Sequence, residues 1–169
     1  MPDLRRELLR TTFRQHAAGV AVVTAYEERP VGFTSTSLTS VALDPPLISF
    51  GVSRSSSSWP AIARTSHVAV HILADDQQEL AARFATSGAD RFGVGTGWRR
   101  GPEGVPVLDG VLGWLVCRIR ERVPAGDHRL VIAEVITGSG RTGEPLLYHN
   151  GRYRPWPQSS RCRRSCCAA

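Results

Sequence analysis

The chain has no lysine; all 21 of its basic residues are arginine. That excludes a phosphate-binding loop of the G-x-x-x-x-G-K-[ST] kind, which needs its lysine. It leaves planar guanidinium forks as the means of gripping phosphate. No apolar run approaches the roughly 20 residues that span a bilayer as a helix, so no membrane partner is expected. The opening stretch, MPDLRRELLRTTFRQH, has charges inside its apolar pattern and no apolar signal core, which points to the cytoplasm. No G-x-S-x-G, no H-E-x-x-H and no carboxylate cluster occurs, so the familiar hydrolase and metalloprotease sites are excluded. Gly93-Val94-Gly95-Thr96-Gly97 is glycine-rich but does not satisfy G-x-G-x-x-G.

Cysteine is scarce and oddly placed. Of four, Cys162, Cys166 and Cys167 crowd the C-terminus as C-x3-CC, without the paired C-x2-C units of a zinc site. The fourth, Cys117, lies in VLGWLVCRI and is expected to be a buried core thiol. His16, His67, His71 and His149 have no metal-like grouping, and no metal is expected. Half of the net charge of +6 sits at the end, where Arg161, Arg163 and Arg164 face no acidic residue after Glu144. Without them the charge is about +3, a weak footprint for nucleic acid, which is not expected as a partner.

What remains is a chain of 169 residues with 41 % apolar content, enough for one domain with a packed core. Residues 4–16 read as an amphipathic helix capped by Asp3, with Leu4, Leu8, Leu9 and Phe13 on one face. Strands are expected at 20–26, from Val31 onward, at 47–53, 67–73, 110–123 and 129–139, and a short one before a turn at Asn150-Gly151. A short helix opens near Pro60 and another covers 77–85; residues 86–106 read as a long loop. Six or seven strands with three helices, and no βαβ alternation, suggest an antiparallel barrel with helical decoration.

Two clusters of hydroxyls stand out. TSTSLTS, Thr34 to Ser40, leads out of a strand, and SRSSSS, Ser53 to Ser58, ends another. One reading is a pair of turns whose serines satisfy their own backbone. The other is a cradle for a ligand with a phosphate and many polar ring atoms, since each hydroxyl donates or accepts. In that reading Arg54 supplies a charge-assisted bond to the phosphate, and the helix start near Ser58–Trp59 adds N–H groups.

The ordered set VGFTSTSLTSVALDPPLISFGVSRSSSSW, HVAVHILADDQQELAARFA, DRF…W, GVLGWLVCRI, AGDHRLVIAEV and PLLYHNGRYR resembles the flavin reductase-like family. The likeness spans 13–154; PWPQSSRCRRSCCAA matches nothing in that pattern. The resemblance implies a mainly β fold with helices, an antiparallel split β-barrel of Greek-key, FMN-binding type. It implies a single domain over 1–154 and a disordered tail at 155–169.

By the same resemblance, Thr34, Ser35, Thr36, Ser37, Ser40 and Val41 contact the flavin ring and ribityl chain. Ser53, Arg54, Ser55, Ser56, Ser57 and Ser58 surround its phosphate end. Phe84 and Ala85 approach the flavin, Asp127-His128 lies near the nicotinamide with His128 as the catalytic residue, and Tyr153 closes that side. The implied activity is NAD(P)H-dependent flavin reduction, with FMN or FAD and NADH or NADPH. The implied partners are a flavin-dependent monooxygenase fed with reduced flavin and a second copy of the chain in a homodimer. Two alternatives stay open: a non-catalytic flavin- or haem-binding module on the same barrel, and an oxidase of the pyridoxamine-phosphate type.

Overall fold

A computed structural model describes residues 3–157. Helix α1 (Leu4–Arg14) starts where expected, with the Asp3 carboxylate accepting the Arg5 N–H at 3.1 Å. It is followed by β1 (Ala18–Gly19), β2 (Ala21–Tyr26), β3 (Pro30–Ser35), β4 (Thr39–Leu43) and β5 (Pro46–Ser53). Then come α2 (Trp59–Arg64), β6 (His67–Ile72), α3 (Gln78–Ala85), β7 (Trp98–Arg100) and β8 (Pro106–Leu108). Two long strands, β9 (Gly113–Ala125) and β10 (His128–Gly140), precede the short hairpin β11 (Leu147–His149) and β12 (Arg152–Arg154).

Seven strands form one antiparallel sheet in the order β3-β2-β6-β9-β10-β5-β4. Alternation along the strands sends one face inward: Ile48, Phe50 and Val52 of β5 are buried between partly exposed neighbours. These meet Val23 of β2, Val68 and Val70 of β6, Cys117 and Ile119 of β9 and Val131 of β10 in one core, with Phe33 of β3 packed against it. Strands from β3 at one end of the order to β5, next to the other end, share that core, so the sheet curls around it. No ladder joins β3 to β4, and the barrel stays split there. The antiparallel, helix-decorated barrel expected from the strand pattern is the fold found. Cys117 is fully buried, and burial pushes its thiol up to about 12, leaving an inert packing group.

The expected long loop at 86–106 is only partly a loop. Its second half forms β7 and, through a turn, pairs with β8. Val105 and Val107 then cover the outer face of the barrel against Ala69 and Val116. This explains why HVAVH is buried on both faces rather than one. Two buried side chains fasten that cover. Thr24 Oγ1 donates to the Pro106 carbonyl at 2.5 Å. His71 donates from Nδ1 to the Val22 carbonyl at 3.0 Å and accepts the Leu108 N–H on Nε2 at 3.1 Å.

Among the described residues the apolar face of α1 is left uncovered: Leu4, Leu8, Leu9 and Phe13 are all at least 60 % exposed. Among the described residues no helix is long and apolar enough to cross a membrane. The tail cysteines and arginines from residue 158 onward lie outside the described residues.

Only a neutral imidazole serves one donor and one acceptor, as His71 does. Burial holds its pKa down to about 4, against 6.5 ordinarily. Between those values the unfolded chain binds a proton that the folded chain refuses, so stability falls as pH falls through that window. This group alone is expected to remove about 3 kcal/mol between pH 7 and about 4. Urea unfolding across that range checks it: His71→Leu should be less stable at neutral pH and show a shallower acid loss.

Candidate active site

The register of β5 against β10 sets the site. Ser53, the last residue of β5, pairs with His128, the first of β10. The Arg54 N–H donates to the Asp127 carbonyl at 3.0 Å, which locks the serine loop to the turn between β9 and β10. That turn needs Gly126, whose φ of 60° is in the left-handed region. The other hydroxyl cluster arrives from β3. There the Ser37 hydroxyl accepts the Gly51 N–H of β5 at 2.8 Å and bonds the Ser35 hydroxyl at 3.0 Å.

Both clusters therefore face one cavity of about 620 Å³. Thr34, Ser35, Thr36, Ser37, Ser53, Ser55, Ser56, Ser57, Phe84, Ala85 and His128 line it, as do Phe33, Gly51, Ser87 and Arg91. Several expected residues lie outside this lining. Ser40 and Val41 are exposed on the edge strand β4, with Val41 at an irregularity of its pairing with β5. Arg54 and Asp127 border a separate hollow beside Trp59. Ser58 is buried beneath, its hydroxyl donating to the Gly32 carbonyl at 2.9 Å. Tyr153 packs edge-on against Tyr148, and burial raises its phenol.

Many of the hydroxyls hold the protein itself. Thr34 Oγ1 donates to the Ala81 carbonyl of α3 at 2.6 Å. Ser53 and Ser56 hydroxyls accept the N–H groups of Ser55 and Ser58 within the loop. Helix α2 offers little at its start, because the Trp59 N–H is already bonded to the Ser56 carbonyl and Pro60 has none.

The cation in the cavity is Arg91, which sequence reasoning passed over inside DRF. One of its terminal nitrogens, Nη1, donates to the Gly32 carbonyl at 2.8 Å and the Ser57 hydroxyl at 3.1 Å, and the other, Nη2, to the Thr86 carbonyl at 2.9 Å. Its Nε is buried with no hydrogen-bond partner among the described residues. Burial pulls its guanidinium below the usual value, yet an arginine starts so high that it stays charged. It enters no ion pair with a carboxylate among the described residues, so the charge is open to an anionic ligand. Aromatic packing fixes its loop: Phe84, Phe92 and Trp98 stack edge to face with centroids 5.2 and 5.4 Å apart. Opposite, the Asp127 carboxylate lies 2.7 Å from His128 Nδ1, and that contact holds the carboxylate below its ordinary value.

A flavin reductase like domain is recognised over residues 13–157. The chain belongs to this family. It is 42 % identical over 155 residues to an NADH:FMN oxidoreductase of Rhodococcus qingshengii, covering 88 % of this chain and 81 % of that one. It is 36 % identical to the reductase subunit of a flavin-dependent monooxygenase from Rhodococcus jostii, with 89 % and 77 % covered. Among solved structures it resembles the NADH:FAD oxidoreductase of Streptomyces globisporus C-1027, determined with NAD and FAD fragments. That match has a TM-score of 0.87 at 32 % identity, with 95 % and 98 % covered.

The residues suit the group the family binds. The cavity offers hydroxyls, an aromatic wall and a cation that pairs with no carboxylate among the described residues, the donor set that a phosphorylated polar ring system requires. Gly32 is part of that wall's support: a Cβ there would meet Phe84 Cε1 at 2.8 Å and the Val23 carbonyl at 2.9 Å. Gly32→Ala is therefore expected to destabilise by about 1–3 kcal/mol and to displace Phe84 into the cavity. Denaturant midpoints and flavin titration of the variant read the two effects separately.

Proposed function

We propose that this protein is an NAD(P)H-dependent flavin reductase that hands reduced flavin to a partner monooxygenase. The observation that carries this is the convergence of both hydroxyl clusters, Arg91 and His128 on one cavity. When bound, the flavin supplies the redox chemistry, accepting hydride from the nicotinamide. The protein's share is placement. Thr36, Ser37 and Gly51 meet the ring, Ser55–Ser57 and Arg91 meet the ribityl phosphate, and Phe33, Phe84 and Ala85 exclude water from one edge.

Hydride transfer needs no side-chain acid or base. His128, with Nδ1 turned to Asp127, keeps Nε2 for the nicotinamide nucleotide. The reading puts the protein in the cytoplasm with the pyridine nucleotides. Two copies would pair through the bare face of α1: Phe13 borders a hollow of about 560 Å³ that shares Thr36 and Ser37 with the flavin cavity, so pairing would also enclose the site. A doubled molar mass by light scattering supports that arrangement.

NADH added anaerobically to the protein with excess FMN should bleach the flavin band over many turnovers. FMN binding without NADH consumption would leave a passive flavin-binding module; binding of neither would end the proposal. His128→Ala should lower turnover at least about tenfold while flavin affinity stays near wild type.

The phosphate role of Arg91 has its own signature. A charge-assisted contact is worth about 1.5–3 kcal/mol, so Arg91→Met should weaken FMN by roughly ten- to a hundredfold. Riboflavin, which has no phosphate, should be affected far less. Arg54→Met should leave FMN binding nearly unchanged; the reverse ranking would return the phosphate to Arg54.

A further inference from the structure

The stretch Gly93-Val94-Gly95-Thr96-Gly97 does not satisfy G-x-G-x-x-G, and none of its residues lines the cavity assigned to the flavin. It folds back on itself instead. The Thr96 N–H donates to the Gly93 carbonyl at 3.1 Å, and Gly95 takes a φ of 92°, in the left-handed region that glycine accepts. The bend leaves Thr96 buried while Val94 and Gly95 are exposed. What Thr96 meets there is Arg83 of α3, whose Nη1 donates to Thr96 Oγ1 at 2.6 Å. Arg83 enters no ion pair among the described residues, so its charge strengthens a bond to a neutral hydroxyl.

This bond joins a fixed base to the loop that carries the cavity's cation. The base is α3: Ala81 and Phe84 are buried beside Val22 and Leu108, and the Ala81 carbonyl accepts Thr34 Oγ1 at 2.6 Å. The loop is 86–97, which brings Ser87 and Arg91 to the cavity wall. At its start the Thr86 carbonyl accepts Arg91 Nη2 at 2.9 Å; near its end Thr96 is held by Arg83. Arg91 stands between those two ties.

We propose that Arg83 is a positioning residue for the anionic end of the flavin: through Thr96 it fixes the loop that presents Arg91. The inference rests on the reading of the first cavity as the flavin site with the phosphate at Arg91. Arg83 does not line that cavity, so it acts through the loop and not on the ligand. Without the bond, Phe92 and Trp98 still pack against Phe84 and the fold survives. What is lost is the alignment of Arg91, and a charge-assisted contact depends on distance and angle. The ring end is served by Thr36, Ser37 and Gly51, on other elements, and is not affected.

Calorimetric titration of FMN and riboflavin tests this, with circular dichroism confirming the fold. The proteins are wild type, Arg83→Met, Thr96→Val, Thr96→Ser, Arg91→Met and the double variant Arg83→Met with Arg91→Met. Arg83→Met and Thr96→Val should each weaken FMN about three- to tenfold, less than Arg91→Met because the charge itself remains. Riboflavin should change by less than about twofold in both. Thr96→Ser keeps the hydroxyl and should bind FMN as wild type does. The double variant should bind FMN no more weakly than Arg91→Met alone, since no charge is left to position. If Arg83→Met does not fold, Thr96→Val against Thr96→Ser carries the test. FMN binding unmoved in Arg83→Met and Thr96→Val overturns the proposal. A loss in Arg83→Met with Thr96→Val unmoved also overturns it, by putting Arg83 on the phosphate itself. Equal losses of FMN and riboflavin overturn it too, by making the bond a general prop of the fold. Failure of wild type to bind either flavin overturns the flavin reading itself, a result distinct from the others.

Discussion

The site depends on β5 being held in one register between two neighbours. On one side its last residue, Ser53, faces His128; on the other, the Gly51 amide reaches across the split to the Ser37 hydroxyl. Side chains alternate along a strand, so a slip of one residue would turn Ile48, Phe50 and Val52 out of the core and Ser49, Gly51 and Ser53 into it. The core therefore enforces the register, and the register delivers serines, backbone amide and imidazole to one cavity. The opening between β3 and β4 provides the room: a closed ladder there would consume groups that now face the cavity.

A second layer of control lies on the barrel's outside. The hairpin of β7 and β8 covers β6 and β9, and His71 and Thr24 fasten it from within. The segment leading into that hairpin is held by Phe92 and Trp98 against Phe84. Arg91 sits in this segment, one residue before Phe92. The charge at this end of the cavity is placed by aromatic packing and by carbonyls, and it pairs with no acid among the described residues. Its positive charge is partly stabilised by the carbonyls of Gly32 and Thr86, which accept its N–H groups without cancelling it.

Period-2 alternation made β5, β6 and β10 legible, and the hydroxyl clusters marked the strand ends that meet. The first reading of those clusters, turns whose serines satisfy the protein's own groups, holds for part of them. Ser53, Ser56 and Ser58 satisfy backbone groups, as serine-rich turns do, and Ser53, Ser55, Ser56 and Ser57 stand at the cavity wall. The sequence could not distinguish Arg54 from Arg91. Arg54 is inside the serine cluster, but it follows the end of β5 and lies outside the cavity lining. Arg91 is far away in sequence and enters by a tertiary route. The hairpin of β7 and β8 was hidden because Trp98–Arg100 and Pro106–Leu108 are too short to show a period. Helix α1 was readable from its spacing, but no local signal says what covers its apolar face.

The central claim is that one flavin lies between Thr34–Ser37 and Ser53–Ser57 with its phosphate at Arg91. The most direct measurement is backbone amide NMR of the protein titrated with FMN. The account predicts that shifts concentrate in those two segments, at Gly51 and at Arg91, with His128 moving further only when a nicotinamide nucleotide is added. Shifts confined to other surfaces, with both serine segments unmoved at saturating FMN, would contradict it.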